Sequence, residues 1–164
     1  MNIDQFYPIY LQSKNITIDS RKVEHGSLFF AFSGETFNAA EKASTAVDNG
    51  ALAVIVEDKE FEDAERHIFY VPSTLEFLQE LAVFHRDQLT IPIIGLTGSN
   101  GKTTTKELIS AVLSRQYNTQ FTQGNLNNHI GVPLTLLSIR KEHEIAVIEM
   151  GANHQKEIEM LCEI

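Results

Sequence analysis

Short apolar runs alternate with stretches of helical period along most of the chain. Leu28 to Phe32 (LFFAF), Ala51 to Val56 (ALAVIV) and Ile68 to Val71 each predict a buried strand. Asn38 to Asn49 predicts a helix, with Asn38 as its N-cap, Glu41 in its first turn and Gly50 at its end. Ser73-Thr-Leu-Glu76 has the form of a capping box. It opens a helix to about Leu89 whose apolar face is Leu75, Leu78, Leu81, Ala82 and Leu89. After a polar stretch at Arg86 to Thr90, the alternation restarts. Ile91 to Thr97 predicts a strand, Lys102 to Arg115 a helix with Leu108, Ile109, Val112 and Leu113 on one side, and Tyr117 to Phe121 a short strand. Ile130 to Ile139 predicts a helix with Pro133 in its first turn, Ile145 to Met150 a strand, and Glu157 to Ile164 a helix.

This order predicts α/β architecture with largely parallel sheets. We expect a small α/β domain over residues 1–86 and a second, mainly parallel-sheet domain beginning at 87. About three strands are legible in the second part, whereas a doubly wound nucleotide domain usually has five or six. The expectation is therefore the front piece of a longer protein.

Composition narrows the class. The chain has 164 residues, 43% hydrophobic and 21% charged, as in folded proteins. Its formal net charge of −9 disfavours broad nucleic-acid binding. A local anion pocket is still allowed, because backbone N–H groups and one or two cations suffice to build it. The single cysteine, Cys162, permits no internal disulfide. With no basic start followed by a long apolar core, and no membrane-length apolar stretch, the expectation is a cytoplasmic protein without membrane contact.

The strongest chemical signal is Gly95-Leu-Thr-Gly-Ser-Asn-Gly-Lys-Thr-Thr-Thr105, between a predicted strand and a predicted helix. Gly98 and Gly101 let the backbone turn tightly against an anion, and successive N–H groups from Thr97, Gly98, Ser99, Asn100, Gly101 and Thr104 can form a donor cradle. The helix start aims its positive end at the same place. Lys102 offers a charge to the β- and γ-phosphates of ATP, and Thr103 a hydroxyl to Mg²⁺. The pattern departs from GxxxxGK[ST], since Leu96 stands where the first glycine belongs. The alternative is a glycine turn before an exposed helix.

Ile145 to Glu149 is an apolar strand ending in an acid. A carboxylate at the carboxyl end of a parallel strand can face a ligand crevice and hold Mg²⁺; equally, it can simply face solvent. Thr122-Gln-Gly-Asn-Leu-Asn-Asn128 reads as a turn by itself. Asp19-Ser20-Arg21 reads as a polar turn after a strand.

Three segments together resemble one family. TGSNGKTTTKE (Thr97 to Glu107), TQGNLNNHIGVPLTLL (Thr122 to Leu137) and VIEMGANH (Val147 to His154) are similar to the Mur ligases of bacterial peptidoglycan synthesis. Asp19-Ser-Arg-Lys-Val, Gly26 to Ala31 and the Gly34…Gly50-Ala51 spacing resemble the family's N-terminal, UDP-binding domain. The GNLNN stretch is most similar to members that join D-alanyl-D-alanine to UDP-N-acetylmuramoyl-tripeptide. The resemblance implies an ATP-dependent amide ligase, acting as a monomer. The tripeptide carboxylate attacks the γ-phosphate to form an acyl phosphate, and the dipeptide amine then displaces phosphate. It implies that Lys102 grips phosphate, that Thr103 and Glu149 bind Mg²⁺, that Asn125 lies near the γ-phosphate, and that Ser20 and Arg21 lie near the uridine. The chain alone, lacking the family's third domain, is then expected to be inactive in ligation.

Two positions depart from the family pattern. Asn38-Ala39-Ala40 replaces a common Asp-Gly-His, and Lys156 stands where glycine is common. Competing readings are a folylpolyglutamate-like ligase, which would share the phosphate loop but not the GNLNN stretch, and a nucleotide-binding module or P-loop phosphotransferase. The segment in front of the loop, Asp19 to Ala31, speaks against the last. The histidines show no metal-ligand spacing, and Cys162 sits at a core-like spacing.

Overall fold

The computed structural model describes residues 1–34 and 37–164. Two compact units divide between Leu78 and Gln79.

The first unit opens with α1 (Ile3–Gln12), followed by β1 (Asn15–Thr17), β2 (Ser27–Phe30), α2 (Ala43–Asp48), β3 (Ala53–Val56) and β4 (Ile68–Tyr70). The four strands form one parallel sheet in the order β1-β2-β3-β4. Every residue of β2 and β3 is buried, as expected where helices cover both faces of a parallel sheet. On one face Phe29, Val54, Val56 and Ile68 pack against Ala39, Ala40, Ala43 and Ala46. On the other, Phe30 and Phe69 meet Phe6 and Phe77 through edge-on and tilted ring contacts. Each fully buried ring contributes about 1.5–3 kcal/mol relative to an exposed one.

Two elements here were not evident from the pattern. Helix α1 carries Pro8 within it, yet Asn2 and Gln5 close a capping box around its start. Strand β1 is three residues long and only partly buried, too short to show a period. The helix expected over 38–49 is split. Asn38 accepts from the Ala40 N–H and caps a 3-10 turn, Ala39–Lys42, before α2 begins.

Helix α3 (Thr74–Gln88) carries the division between the units within it, ahead of the boundary expected at residue 86. Its first turn packs Phe77 into the first unit, whereas Gln79 donates to the His129 carbonyl and His85 bonds the Ile139 carbonyl, both in the second.

The second unit continues with β5 (Ile93–Leu96), α4 (Lys102–Leu113), β6 (Thr119–Phe121), α5 (Gly131–Leu136), β7 (Ile145–Glu149) and α6 (Glu157–Glu163). Its three strands are parallel, in the order β5-β7-β6. The expected apolar side of α4 is not what it buries. Leu108 and Val112 are 64% and 71% exposed, while Lys106 and Ser110 are buried. Among the described residues, no helix is long and apolar enough to cross a membrane.

His85 is buried, and burial holds its imidazole below the ordinary 6.5, assisted by the Arg140 charge and opposed by the bond to Ile139. The unfolded chain takes up a proton near pH 6.5 that the folded state resists. Stability of the second unit should therefore fall as pH drops below about 6.5 and be fully present above it. Urea unfolding at several pH values will show this slope in the wild type and a weaker one in His85→Gln. Equal slopes would remove His85 as the cause.

Candidate nucleotide site

Because β5, β6 and β7 are parallel, the segments that follow them emerge at one end of the sheet. Leu96 lies opposite Glu149, so the loop after β5 begins beside the last residue of β7. Thr97, Gly98, Ser99 and Asn100 form that loop and are exposed. Gly101 ends it with φ +75, in the left-handed region that a side chain would strain. Lys102, Thr103 and Thr104 make the first turn of α4, whose N-cap provides no side-chain hydrogen bond. Its leading N–H groups thus face outward as anion donors. The Lys102 Nζ lies over the loop, donating to the Gly98 carbonyl at 2.7 Å.

Glu149 is 1% exposed, so it is not a solvent-facing strand end. Its Oε1 accepts from the Thr103 hydroxyl at 3.3 Å and from Asn127 Nδ2 at 2.8 Å. Its N–H donates to the Thr122 hydroxyl at 2.8 Å. Its Oε2 is buried without a hydrogen-bond partner, 4.0 Å from the Lys106 ammonium. A buried carboxylate oxygen left unbonded beside a threonine hydroxyl is a hard-oxygen donor set of the kind Mg²⁺ prefers. The residues fit that ion.

A cavity of about 250 Å³ adjoins these groups, lined by Lys102, Asn127, His129, Gly151, His154 and Glu157 among others. His154 and Asn153 donate their backbone N–H groups to the Glu157 carboxylate, and these bonds hold it below the usual range for a glutamate. Asn127, which the residue pattern did not single out, lines the cavity and touches Glu149. Asn125 is exposed, and its carbonyl accepts from the Asn127 N–H.

In the first unit, Ser20 and Arg21 lie on a 3-10 turn capped by Asp19. Arg21 forks onto both Asp19 oxygens, at 2.9 and 2.8 Å, with its side chain 87% exposed. Hydrogen bonds from the Arg21 side chain and backbone lower the Asp19 pKa to about 2.

Residues 96–164 match the model of the Mur ligase middle domain, and residues 12–86 match that of the Mur ligase family catalytic domain. The chain belongs to the Mur ligase family. It is 46% identical over 143 residues to the UDP-N-acetylmuramoyl-tripeptide–D-alanyl-D-alanine ligase of Escherichia coli K12, covering 87% of this chain and 31% of that protein. The crystal structure of MurF from Acinetobacter baumannii superposes with a TM-score of 0.81 at 41% identity, over 98% of this chain and 38% of that one. MurF from Thermotoga maritima, solved in complex with ADP, gives 0.79 at 34% identity, over 94% and 35%. The chain spans about a third of the length of the curated relatives it matches.

As a Mur ligase, the chain departs from the family pattern at two places whose structural settings are now visible. Lys156 has φ +69, in the region glycine favours, at the start of α6. Ala39 and Ala40 are buried in the first unit's core, and Asn38 donates to Asp58 at 3.2 Å.

Proposed function

We propose that the second unit binds the phosphates of ATP together with Mg²⁺. The whole protein would join D-alanyl-D-alanine to UDP-N-acetylmuramoyl-tripeptide in the cytoplasm, acting as a monomer. The observation that carries the reading is the approach of Thr103, in the first turn of α4, to the buried Glu149 at the end of β7. The ligase names of the relatives, and the ADP held by one of them, point the same way.

In this reading the uncapped N–H groups of the loop and of α4 receive phosphate oxygens, and Lys102 turns from Gly98 to the β- and γ-phosphates. Thr103 and Glu149 hold the metal, Asn127 keeps the Glu149 carboxylate oriented, and Asn125 lies toward the γ-phosphate. Mg²⁺ held there would supply charge neutralisation to the phosphates during phosphoryl transfer. The chain's part is positioning and electrostatic stabilisation.

We further propose that the first unit takes the UDP part of the substrate, with Ser20 and Arg21 in contact. The guanidinium held flat by Asp19 keeps outward donors for phosphate or carbonyl oxygens. NMR titration with UDP should shift signals from Ser20 to Lys22. If only the loop around Gly98 responds, UDP is imitating ATP and the assignment fails. The ligation itself is tested by incubating the full-length gene product with ATP and both substrates; no dipeptide addition would overturn it.

A further inference from the structure

Lys106 is completely buried, although nothing in the proposed nucleotide site requires a second lysine. It stands one turn beyond Lys102 on α4 and three residues beyond Thr103, on the same side of the helix. A buried ammonium persists only where its three N–H groups are met by acceptors. Here they are met by the Thr122 carbonyl at 2.7 Å, the Glu107 carboxylate at 3.0 Å and the Gly124 carbonyl at 3.4 Å. The Phe121 ring adds a face 5.9 Å from the nitrogen.

Two of those acceptors are backbone carbonyls of the segment that follows β6. The same segment bonds Glu149 twice more, through the Thr122 hydroxyl and through Asn127. The ammonium therefore ties α4, which carries Lys102 and Thr103, to the loop that orients Glu149. Its donors are spent on these three acceptors, so the 4.0 Å approach to Glu149 Oε2 is one of charge without a hydrogen bond. Glu149 Oε2 is steadied but left uncommitted.

We propose that Lys106 is a positioning residue for the metal. It fixes the Thr122–Gly124 backbone against α4, so that Thr103 and Glu149 present their oxygens to one Mg²⁺ ion. The proposal rests on the nucleotide reading given above. It differs from a merely structural role in what it affects. A packing residue would support nucleotide binding with and without metal alike, whereas this one acts on the metal-dependent part.

The test is ADP binding by calorimetry to the 164-residue chain, with excess Mg²⁺ and with chelator, in wild type and Lys106→Met. We expect the metal-free affinity of the variant to stay within about twofold of wild type. Its Mg²⁺-dependent gain should fall by about 10- to 100-fold, the usual effect of losing a partner behind a metal ligand. A variant that keeps the wild-type gain, or loses affinity equally in both conditions, overturns the proposal. Should wild type itself bind no ADP, the nucleotide reading falls and takes this one with it. A second measurement needs no variant. The Lys106 ammonium, buried and bonded, should give a slowly exchanging NMR signal that shifts when Mg²⁺ is added to the ADP-bound wild-type chain. A signal unmoved by Mg²⁺ overturns the proposal even if Lys106→Met does not fold.

Discussion

Replacing Lys102 with alanine should weaken binding of Mg²⁺-ATP by one to two decades and leave the fold intact. The side chain is only partly buried and, among the described residues, bonds the Gly98 carbonyl of its own loop. No apolar core depends on it, so the stability change should stay within about 0.5 kcal/mol. Against bound phosphate the ammonium makes a charge-assisted hydrogen bond, worth about 1.5–3 kcal/mol, which is roughly a 10- to 100-fold change in dissociation constant. Calorimetry on wild type and variant measures the affinity, and thermal melting the fold. Equal affinities would show that the loop does not hold phosphate through this lysine. A large loss of melting temperature would show that Lys102 is structural.

The contrast between Lys102 and Lys106 also shows how far the chain could be read without coordinates. Glycines, a lysine and threonines between a strand and a helix announce a phosphate loop because each residue type answers a local demand: left-handed backbone at Gly101, open N–H groups, a flexible cation. Nearly all strands of the two parallel sheets were legible because buried apolar runs carry their own signal. Lys106 was not legible. A lysine on an amphipathic helix ordinarily faces water, and here the distant Thr122 and Gly124 carbonyls receive it inside. The same holds for Glu149, whose burial depends on Thr103, Thr122 and Asn127, up to 46 residues away. Local rules located the loop, and long-range polar pairing decided the shape of the site around it.

Replacing Gly131 with alanine isolates one part of that long-range architecture. Gly131 opens α5, and its N–H donates to the Asn128 side chain at 2.9 Å. Helix propensity alone would favour alanine there by about 0.5–1 kcal/mol. Packing demands the opposite. A methyl group would lie 2.6 Å from the Leu126 carbonyl oxygen and closer still to the Leu126 Cα and carbonyl carbon, which are backbone atoms and cannot rotate away. The segment that carries Asn127 to Glu149 would have to move. Overpacking of this kind costs about 1–3 kcal/mol, enough to exceed the propensity gain. For a unit of this size that corresponds to a fall in melting temperature of about 5 °C or more. Gly124→Ala is the matched control. Gly124 has φ +55 but open space around it, so its substitution carries only the torsional cost, about 1 kcal/mol. Thermal melts should therefore rank Gly131→Ala as the less stable variant, with Mg²⁺-dependent ADP affinity reduced as Asn127 shifts. A Gly131→Ala protein more stable than wild type would mean that the loop yields freely and that propensity governs the position.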